Sequence, residues 1–183
     1  MDDKEFERLL LSVQKPGRYS GGEINSVVKD KNKVDVRFAF CFPDTYEIGM
    51  SHLGIKILYS QFNERDDIWC ERVFAPCEDF EKIMREKNIP LFGLESRDSI
   101  RDFDFIGFTL QYEMSYTNIL NMLDLAGVPL RAADRTELSP LVVAGGPCCS
   151  NAEPIADFFD LFFLGEGEDV DLEVIDLYKE YKK

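Results

Sequence analysis

Phe40-Cys-Phe-Pro-Asp-Thr-Tyr-Glu-Ile-Gly-Met-Ser-His-Leu-Gly54 is the stretch on which the fold turns. It passes from continuously apolar residues through Pro43-Asp44-Thr45 into apolar residues at helical spacing, the pattern of a buried strand, a polar turn and a helix. In open α/β sheets ligands bind beyond the carboxyl ends of strands, so any site is expected to begin at this turn. Two later stretches, Gly107-Phe-Thr-Leu-Gln111 and Val142-Val-Ala-Gly-Gly-Pro147, end in similar small and polar residues and are expected on the same edge.

Outward from that turn, Val34–Phe42 alternates at Val34, Val36, Phe38 and Phe40 before becoming wholly apolar, as a strand buried on both faces does. The helix after it is expected to bury Met50, Leu53, Gly54, Ile57, Leu58 and Phe62. Its start has two candidates, a capping box of Asp44 with Glu47 and a competing N-cap at Ser51. Upstream, residues 2–14 place Phe6, Leu9, Leu10 and Val13 on one helical face, Pro16-Gly17 stops that helix, and Arg18–Lys33 reads as an extended arm. Gly21-Gly22-Glu23 lacks the GxxxxGK[ST] pattern of a phosphate loop.

Downstream, strands are predicted over Ile68–Phe74, Phe103–Gln111, Leu141–Ala144 and Leu161–Leu164, with a further edge strand over Pro90–Leu94. Helices are predicted over Glu78–Glu86, Ser115–Leu125 with Gly127 ending it, Asn151–Phe158 and Glu166–Tyr181. Strands alternating with helices imply an α/β, Rossmann-like (flavodoxin-like) domain: a five-stranded, mainly parallel sheet in the order 2-1-3-4-5 with helices on both faces. Residues 1–33 form a leading helix and arm, and 34–183 the Rossmann-like domain.

Bulk properties narrow the function. The chain has 35 acidic against 21 basic residues and a formal charge of −14, which opposes nucleic-acid binding, since that rests on Lys and Arg neutralising phosphates. Five scattered cysteines, an odd number, do not form an extracellular disulfide framework. No run approaches the roughly 20 apolar residues of a membrane span, and Met1-Asp-Asp-Lys-Glu5 is too acidic for a signal peptide. A cytoplasmic protein without a membrane partner is expected. A Ser/His/Asp hydrolase would need His52, the lone histidine, as base, yet no GxSxG elbow is present. A flavin phosphate would meet an acidic loop at Pro43–Glu47.

Asp44-Thr-Tyr46-Glu-Ile-Gly49 has the spacing D-x-Y-x-x-G. This resembles the D-x-H-x-x-G loop with which cobalamin-binding domains present a histidine to cobalt, with Tyr46 at the histidine position. A neutral phenol is a poor ligand, so the resemblance implies cobalamin held base-off without a protein histidine; His52 lies six residues too late and reads as a helix-start residue. Thr109 stands where such domains place a Ser-x-Leu hydroxyl, with Gln111 departing from the leucine, and Gly145-Gly146 matches a glycine pair that leaves room for the cofactor's nucleotide tail. The cofactor edge implied is Asp44, Tyr46, Gly49, Thr109, Gly145 and Gly146, with no catalytic or metal-ligating residue.

Lys15-Pro-Gly-Arg-Tyr-Ser-Gly-Gly-Glu23, Phe42-Pro-Asp-Thr-Tyr-Glu-Ile-Gly-Met-Ser-His-Leu-Gly54, Gln111-Tyr-Glu-Met-Ser-Tyr-Thr-Asn118, Asn121-Met-Leu-Asp-Leu-Ala-Gly127 and Ala144-Gly-Gly-Pro147 extend the likeness. Together they resemble the N-terminal region of a family of bacterial radical S-adenosylmethionine proteins, in which a cobalamin-binding-like domain precedes the catalytic barrel. That barrel carries a C-x-x-x-C-x-x-C triad for a four-iron four-sulfur cluster that binds S-adenosylmethionine. No such spacing occurs here, and Cys148-Cys149 is adjacent rather than spaced. The resemblance therefore implies an accessory domain whose partner is its own radical S-adenosylmethionine domain downstream. The alternative is a degenerate Rossmann docking module that has lost the cofactor and contacts the barrel or its substrate.

Overall fold

A computed structural model describes residues 3–182. Its centre is β1 (Val36–Phe42), buried along its whole length. β2 (Ile68–Phe74) and β3 (Phe105–Thr109) flank it, and β4 (Leu141–Gly145) and the two-residue β5 (Leu161–Phe162) complete an all-parallel sheet of order β2-β1-β3-β4-β5. The register pairs Phe38 with Cys70 on one side and Phe105 on the other. This is the Rossmann-like order that the alternation of elements predicts.

Period-two alternation sends neighbouring residues of β1 to opposite faces. Val36, Phe38, Phe40 and Phe42 join the core under α3 (Leu53–Glu64) and α6 (Gly167–Tyr181), whose Ile55, Tyr59, Phe62, Ile175 and Tyr178 are buried there. Ala39 and Cys41 face the other way, toward α1 (Asp3–Leu10), α4 (Glu78–Lys87) and α5 (Tyr116–Ala126), which contribute Phe6, Leu10, Phe80, Met84, Ile119, Met122 and Leu123. Helices thus cover both faces. Gly127, at φ 67°, ends α5 in the left-handed conformation that favours glycine.

The helix after β1 departs from expectation. It is two helices, α2 (Tyr46–Gly49) and α3, because His52 sits at φ −80°, ψ 119° and its Nδ1 accepts a bond from the Ile55 amide. His52 is thus the helix-start residue, and neither predicted cap forms. Asp44 Oδ1 accepts from the Thr45 amide, Glu47 is drawn to Lys15 and Arg18, and Ser51 donates to the Glu47 carbonyl. Phe62 is buried as expected, but the break sets Ile55 and Tyr59 beside it and leaves Leu53 and Ile57 exposed. Gly49 is needed where the chain passes under Phe74: a Cβ there would lie 2.5 Å from Phe74 Cδ1.

Other boundaries move for local reasons. The leading helix covers Asp3–Leu10, with Asp2 outside the described residues, and Pro16–Arg18 makes a single 3-10 turn. No edge strand forms at Pro90–Leu94; the segment turns back at Gly93–Arg97 and makes one antiparallel bridge, Phe92 to Ser99. It still protects the open edge of β2, through Leu94 N–H to the Arg72 carbonyl and Arg72 N–H to Glu95 Oε2. Instead of one short helix over Asn151–Phe158 there are two 3-10 turns, Pro147–Asn151 and Glu153–Phe158.

The arm packs on the same core. Tyr19 is buried, 4.2 Å from Phe80 ring to ring, and its hydroxyl accepts from the Cys77 amide. Lys29 Nζ donates to the carbonyls of Asn63, Arg65 and Ile68.

Beside β1 and β2 lies a buried ionic network. Glu71, with no exposed surface, accepts from Arg37 Nη2 at 2.5 Å and from the Ser96 amide at 2.8 Å. The Arg37 guanidinium also meets Asp98 at 2.8 Å and lies 4.0 Å over the Phe103 ring. Removing one member of such a pair strands a buried charge, so Arg37→Met is expected to lower stability by about 3–5 kcal/mol. Urea unfolding checks this, as a lower midpoint at unchanged slope; a loss below about 1 kcal/mol would mean that Glu71 finds another partner.

Candidate functional site

β1, β3 and β4 all deliver their carboxyl ends to one edge, and a cavity of about 250 Å³ opens there on the α3/α6 face. Its walls are the aromatic rings of Phe38, Phe40 and Phe163 with Ile55, Leu58 and Val143. Gly107 makes this floor possible, since a Cβ there would come within 2.5 Å of Phe38 Cζ. Thr109, Gln111, Gly145 and Gly146 form the rim, and His52, Glu166, Glu168 and Asp171 face it from the starts of the two helices.

The rim is tightly built. Leu110 N–H donates to the Gly145 carbonyl at 2.7 Å, and Cys148 N–H to the Leu110 carbonyl at 3.1 Å, tying the ends of β3 and β4 together. Gly146 has φ 103°, and a Cβ on it would meet Leu110 O at 3.0 Å and Thr109 Oγ1 at 3.2 Å, so this position excludes a side chain. Gly145 is different: a Cβ there meets only Phe163 Cβ, at 4.0 Å. Gln111 Nε2 donates to Thr109 Oγ1 at 2.6 Å, so the residue that departs from the Ser-x-Leu pattern holds the rim hydroxyl in place.

Asp171 is the unusual group. It is 8% exposed, it lines the cavity, and its Oδ1 has no hydrogen-bond partner among the described residues. Burial, with the Glu168 charge adding to it, pushes its pKa up to about 7. Its helix is firmly placed: Tyr178 OH donates to Asp104 Oδ1 at 2.7 Å, Arg65 grips Asp176 through two bonds, Lys179 pairs with Asp67, and Gln61 Nε2 donates to the Glu168 carbonyl.

Of the residues singled out in the sequence, Thr109, Gly145 and Gly146 meet at this cavity. Asp44, Tyr46 and Gly49 do not line it. Asp44 Oδ2 accepts from Tyr112 OH at 2.9 Å, linking the loops after β1 and β3. Tyr46 turns toward the arm, its ring edge-on to Phe74 and its hydroxyl donating to Glu23 Oε1 at 3.1 Å; burial and the Glu23 charge raise its pKa. Gly49 is buried beneath Phe74. Sequence reasoning missed Asp171, although a signal was present: it stands on the stripe of Ile175 and Tyr178, at i, i+4 and i+7, where a carboxylate is out of place.

An acid whose folded pKa lies above its unfolded value loses stability as pH rises between the two. For Asp171 that window runs from 3.8 to about 7. Asp171→Leu should therefore match the wild type near pH 4 and exceed it above pH 7, by on the order of 2–4 kcal/mol. Thermal melts across this range read the difference; a gap that does not change with pH would show that the carboxyl is not carried into the fold as proposed by its burial.

Comparison with known proteins identifies a family. A family described as "Radical SAM proteins, N-terminal" matches residues 54–183, from the first turn of α3 through β5 and α6. The chain is 31% identical over 140 residues to an uncharacterized protein of Methanocaldococcus jannaschii, an overlap of 75% of this chain and 26% of that protein. The chain thus spans about a quarter of its relative's length. No solved structure matches. Through a match that covers well over half of its length, the chain belongs to the radical SAM proteins, as an N-terminal domain of that family.

Proposed function

We propose that this domain holds a corrinoid by its nucleotide tail, base-off, and offers it to a radical S-adenosylmethionine domain that follows in the full-length protein. The observation that carries the reading is the cavity itself, placed at the carboxyl ends of β1, β3 and β4, walled by rings and bordered by the largely buried Asp171. At about 250 Å³ it is somewhat below the roughly 300–1,000 Å³ of pockets for drug-sized ligands, which suits one ring system of the tail and leaves the corrin outside the edge.

The residues fit this group in part of its usual setting. Gly145 and Gly146 leave the rim free of side chains, and the Thr109 hydroxyl is positioned beside them. Tyr46 does not face the edge as a lower ligand would, because its hydroxyl is engaged by Glu23. Such a corrinoid would supply a transferable methyl group or a one-electron centre. The chain's own contribution is to bind and orient the tail and to exclude water from it. The four-iron four-sulfur cluster and S-adenosylmethionine belong, on this reading, to the downstream domain.

A second reading, a docking module without cofactor, has its own observation. Ile48, Leu53, Tyr112, Met114 and Leu164 are exposed in the loops and helix starts beyond β1, β3 and β5, an apolar fringe of the kind that marks interaction surfaces. Titration with hydroxocobalamin separates the two. The corrinoid reading expects co-elution on gel filtration, a base-off visible spectrum, and at least tenfold weaker binding by Gly145→Leu, which fills the cavity at a position that tolerates a Cβ. Absence of binding by the chain and by its longer relative would favour docking, and Gly145→Leu binding as well as wild type would move the corrinoid out of this cavity.

A further inference from the structure

The flank of α6 turned away from α3 is apolar and exposed. On its α3 side the helix is tied down: Gln61 donates to the Glu168 carbonyl, Arg65 to Asp176, and Lys179 pairs with Asp67. Asp171, Ile175 and Tyr178 point down into the core. At about 100° per residue the opposite flank carries Val170, Val174, Leu177 and Tyr181. Val174 is half-buried and the other three are exposed, Leu177 by 54% and Tyr181 by 72%. Beneath this flank the sheet ends. Leu161, which shares the face of Phe163 by alternation, is exposed beside it on β5, and β5 is paired with β4 alone among the described residues. The other edge of the sheet, at β2, is covered by the loop at 93–98.

Spacing and charge restrict what fits there. Positions 170, 174, 177 and 181 step by four, three and four, the a/d repeat of a coiled-coil seam, over about 17 Å of helix. In that register Glu166, Glu173 and Glu180 all fall at g, exposed along the outer border, while the e positions, Asp171 and Tyr178, belong to the core. The basic residues Lys179 and Lys182 turn to Asp67 and Asp104. The seam is thus apolar with one acidic border. A second copy of the chain does not suit it. An antiparallel pair would set glutamate against glutamate, a parallel pair would set glutamate against buried positions, and the formal charge of −14 adds to the repulsion. A sixth strand following directly from α6 does not suit it either. On this face β1–α3–β2 steps the other way across the sheet, so a parallel strand outside β5 would need the left-handed crossover that such sheets avoid.

We propose that this flank docks a helix from the region that follows in the full-length protein, apolar at its own a and d positions and carrying Lys or Arg where it passes Glu173 and Glu180. About three-quarters of the Methanocaldococcus relative lies outside the aligned stretch, so chain of ample length is at hand. The seam runs to Tyr181 at the end of α6, which tethers the following chain beside it and gives the docking helix a high effective concentration. Side by side at about 8–10 Å, the two helices would bury Leu177 and Tyr181 and roof Leu161 at the open edge. None of Leu161, Val170, Val174, Leu177 and Tyr181 lines the cavity, so the docking is independent of the corrinoid. It shares with the proposed function only the reading that a further domain follows α6.

The test uses the full-length protein with the photo-crosslinker benzoylphenylalanine in place of Leu177. Irradiation should join this position to an apolar residue beyond residue 183 of the same molecule, located by peptide mass spectrometry. A crosslink to a second copy, seen as a doubled mass, a crosslink back into residues 1–183, or none would overturn the proposal. Amide hydrogen exchange supplies the second readout. In the full-length protein Leu177→Glu should speed exchange over residues 170–181 by about tenfold and leave β1 and β3 unchanged. The double variant Glu173→Lys with Glu180→Lys should act in the same direction. In the 183-residue chain, where Leu177 is exposed, Leu177→Glu should change nothing; equal exchange with and without it in the full-length protein would also overturn the docking. A crosslink beyond residue 183 in a protein that assembles no iron–sulfur cluster would keep the docking and remove the radical S-adenosylmethionine reading. A cluster-bearing protein whose α6 flank stays open would do the reverse.

Discussion

The alternation along β1 governs the rest of the molecule. Three phenylalanines, Phe38, Phe40 and Phe42, leave the strand on one face, and Ala39 and Cys41 leave it on the other. A central parallel strand must bury both faces, and here the two faces are filled in opposite ways. On the small side, α4 and α5 bring their own bulk, Phe80, Met84 and Met122, close to the sheet. On the aromatic side the rings supply the bulk, and room for them has to be made: Gly107 on β3 gives way to Phe38, and Gly49 gives way to Phe74. Rings that reach past a glycine leave a recess where their edges stop, which is the cavity at the end of the sheet.

Buried charge is handled in two ways. Along β1, β2 and the loop that covers the β2 edge, Arg37, Glu71, Asp98, Arg72 and Glu95 close into pairs, with Arg37 over Phe103 and Arg72 over Tyr59. Both guanidinium groups there meet acids, although Arg37 Nε has no partner among the described residues, and the network also pins the loop at 93–98 against the open edge of β2. At the carboxyl end of the sheet Asp171 has no such closure. Asp171 stands on a helix tied down by Tyr178, Asp176 and Lys179, so the contrast is not one of order against looseness; it separates acids that serve the fold from one that works against it.

Much of this architecture is legible in the sequence. The apolar runs at Val36–Phe42, Phe105–Thr109 and Leu141–Gly145 announce buried parallel strands, and their alternation with amphipathic segments leaves little choice of topology. The break between α2 and α3 is less visible, because His52 caps α3 while the residues before it answer to distant partners, Gly49 to Phe74 and the Glu47 side chain to Arg18 and Lys15. Periodicity alone then places Leu53 and Ile57 on the buried stripe beside Phe62, whereas Phe62 is buried with Ile55 and Tyr59 and the first two are exposed. Asp171 was concealed by an ordinary explanation. Acids at a helix start suit its dipole, and Glu168 and Asp169 do so, but Asp171 falls on the inward stripe and belongs to the cavity.

The loop after β1 shows how one run of residues can hold a fold together without lining its pocket. Tyr46 and Glu47 bind the arm, through Glu23 on one side and Arg18 and Lys15 on the other, and Asp44 binds Tyr112 from the loop after β3. The arm in turn reaches Arg72 through Glu23 and the amino end of α4 through Tyr19. Strong hydrogen bonds from Arg18 and Lys15 keep the Glu47 carboxyl near a pKa of about 2, so this clasp stays charged at any pH near neutrality. Asp44, Tyr46 and Glu47 are thus taken up by contacts within the fold, and none of the three lines the cavity. The cavity lies on the far side of the sheet end, where β3 and β4 contribute backbone and small residues and α6 contributes Asp171, whose buried Oδ1 has no partner among the described residues. The spacing D-x-Y-x-x-G and the cavity are thus neighbours on the same edge built from separate residues, the first securing the leading arm and the second walled by the rings of β1 and the small residues of β3 and β4.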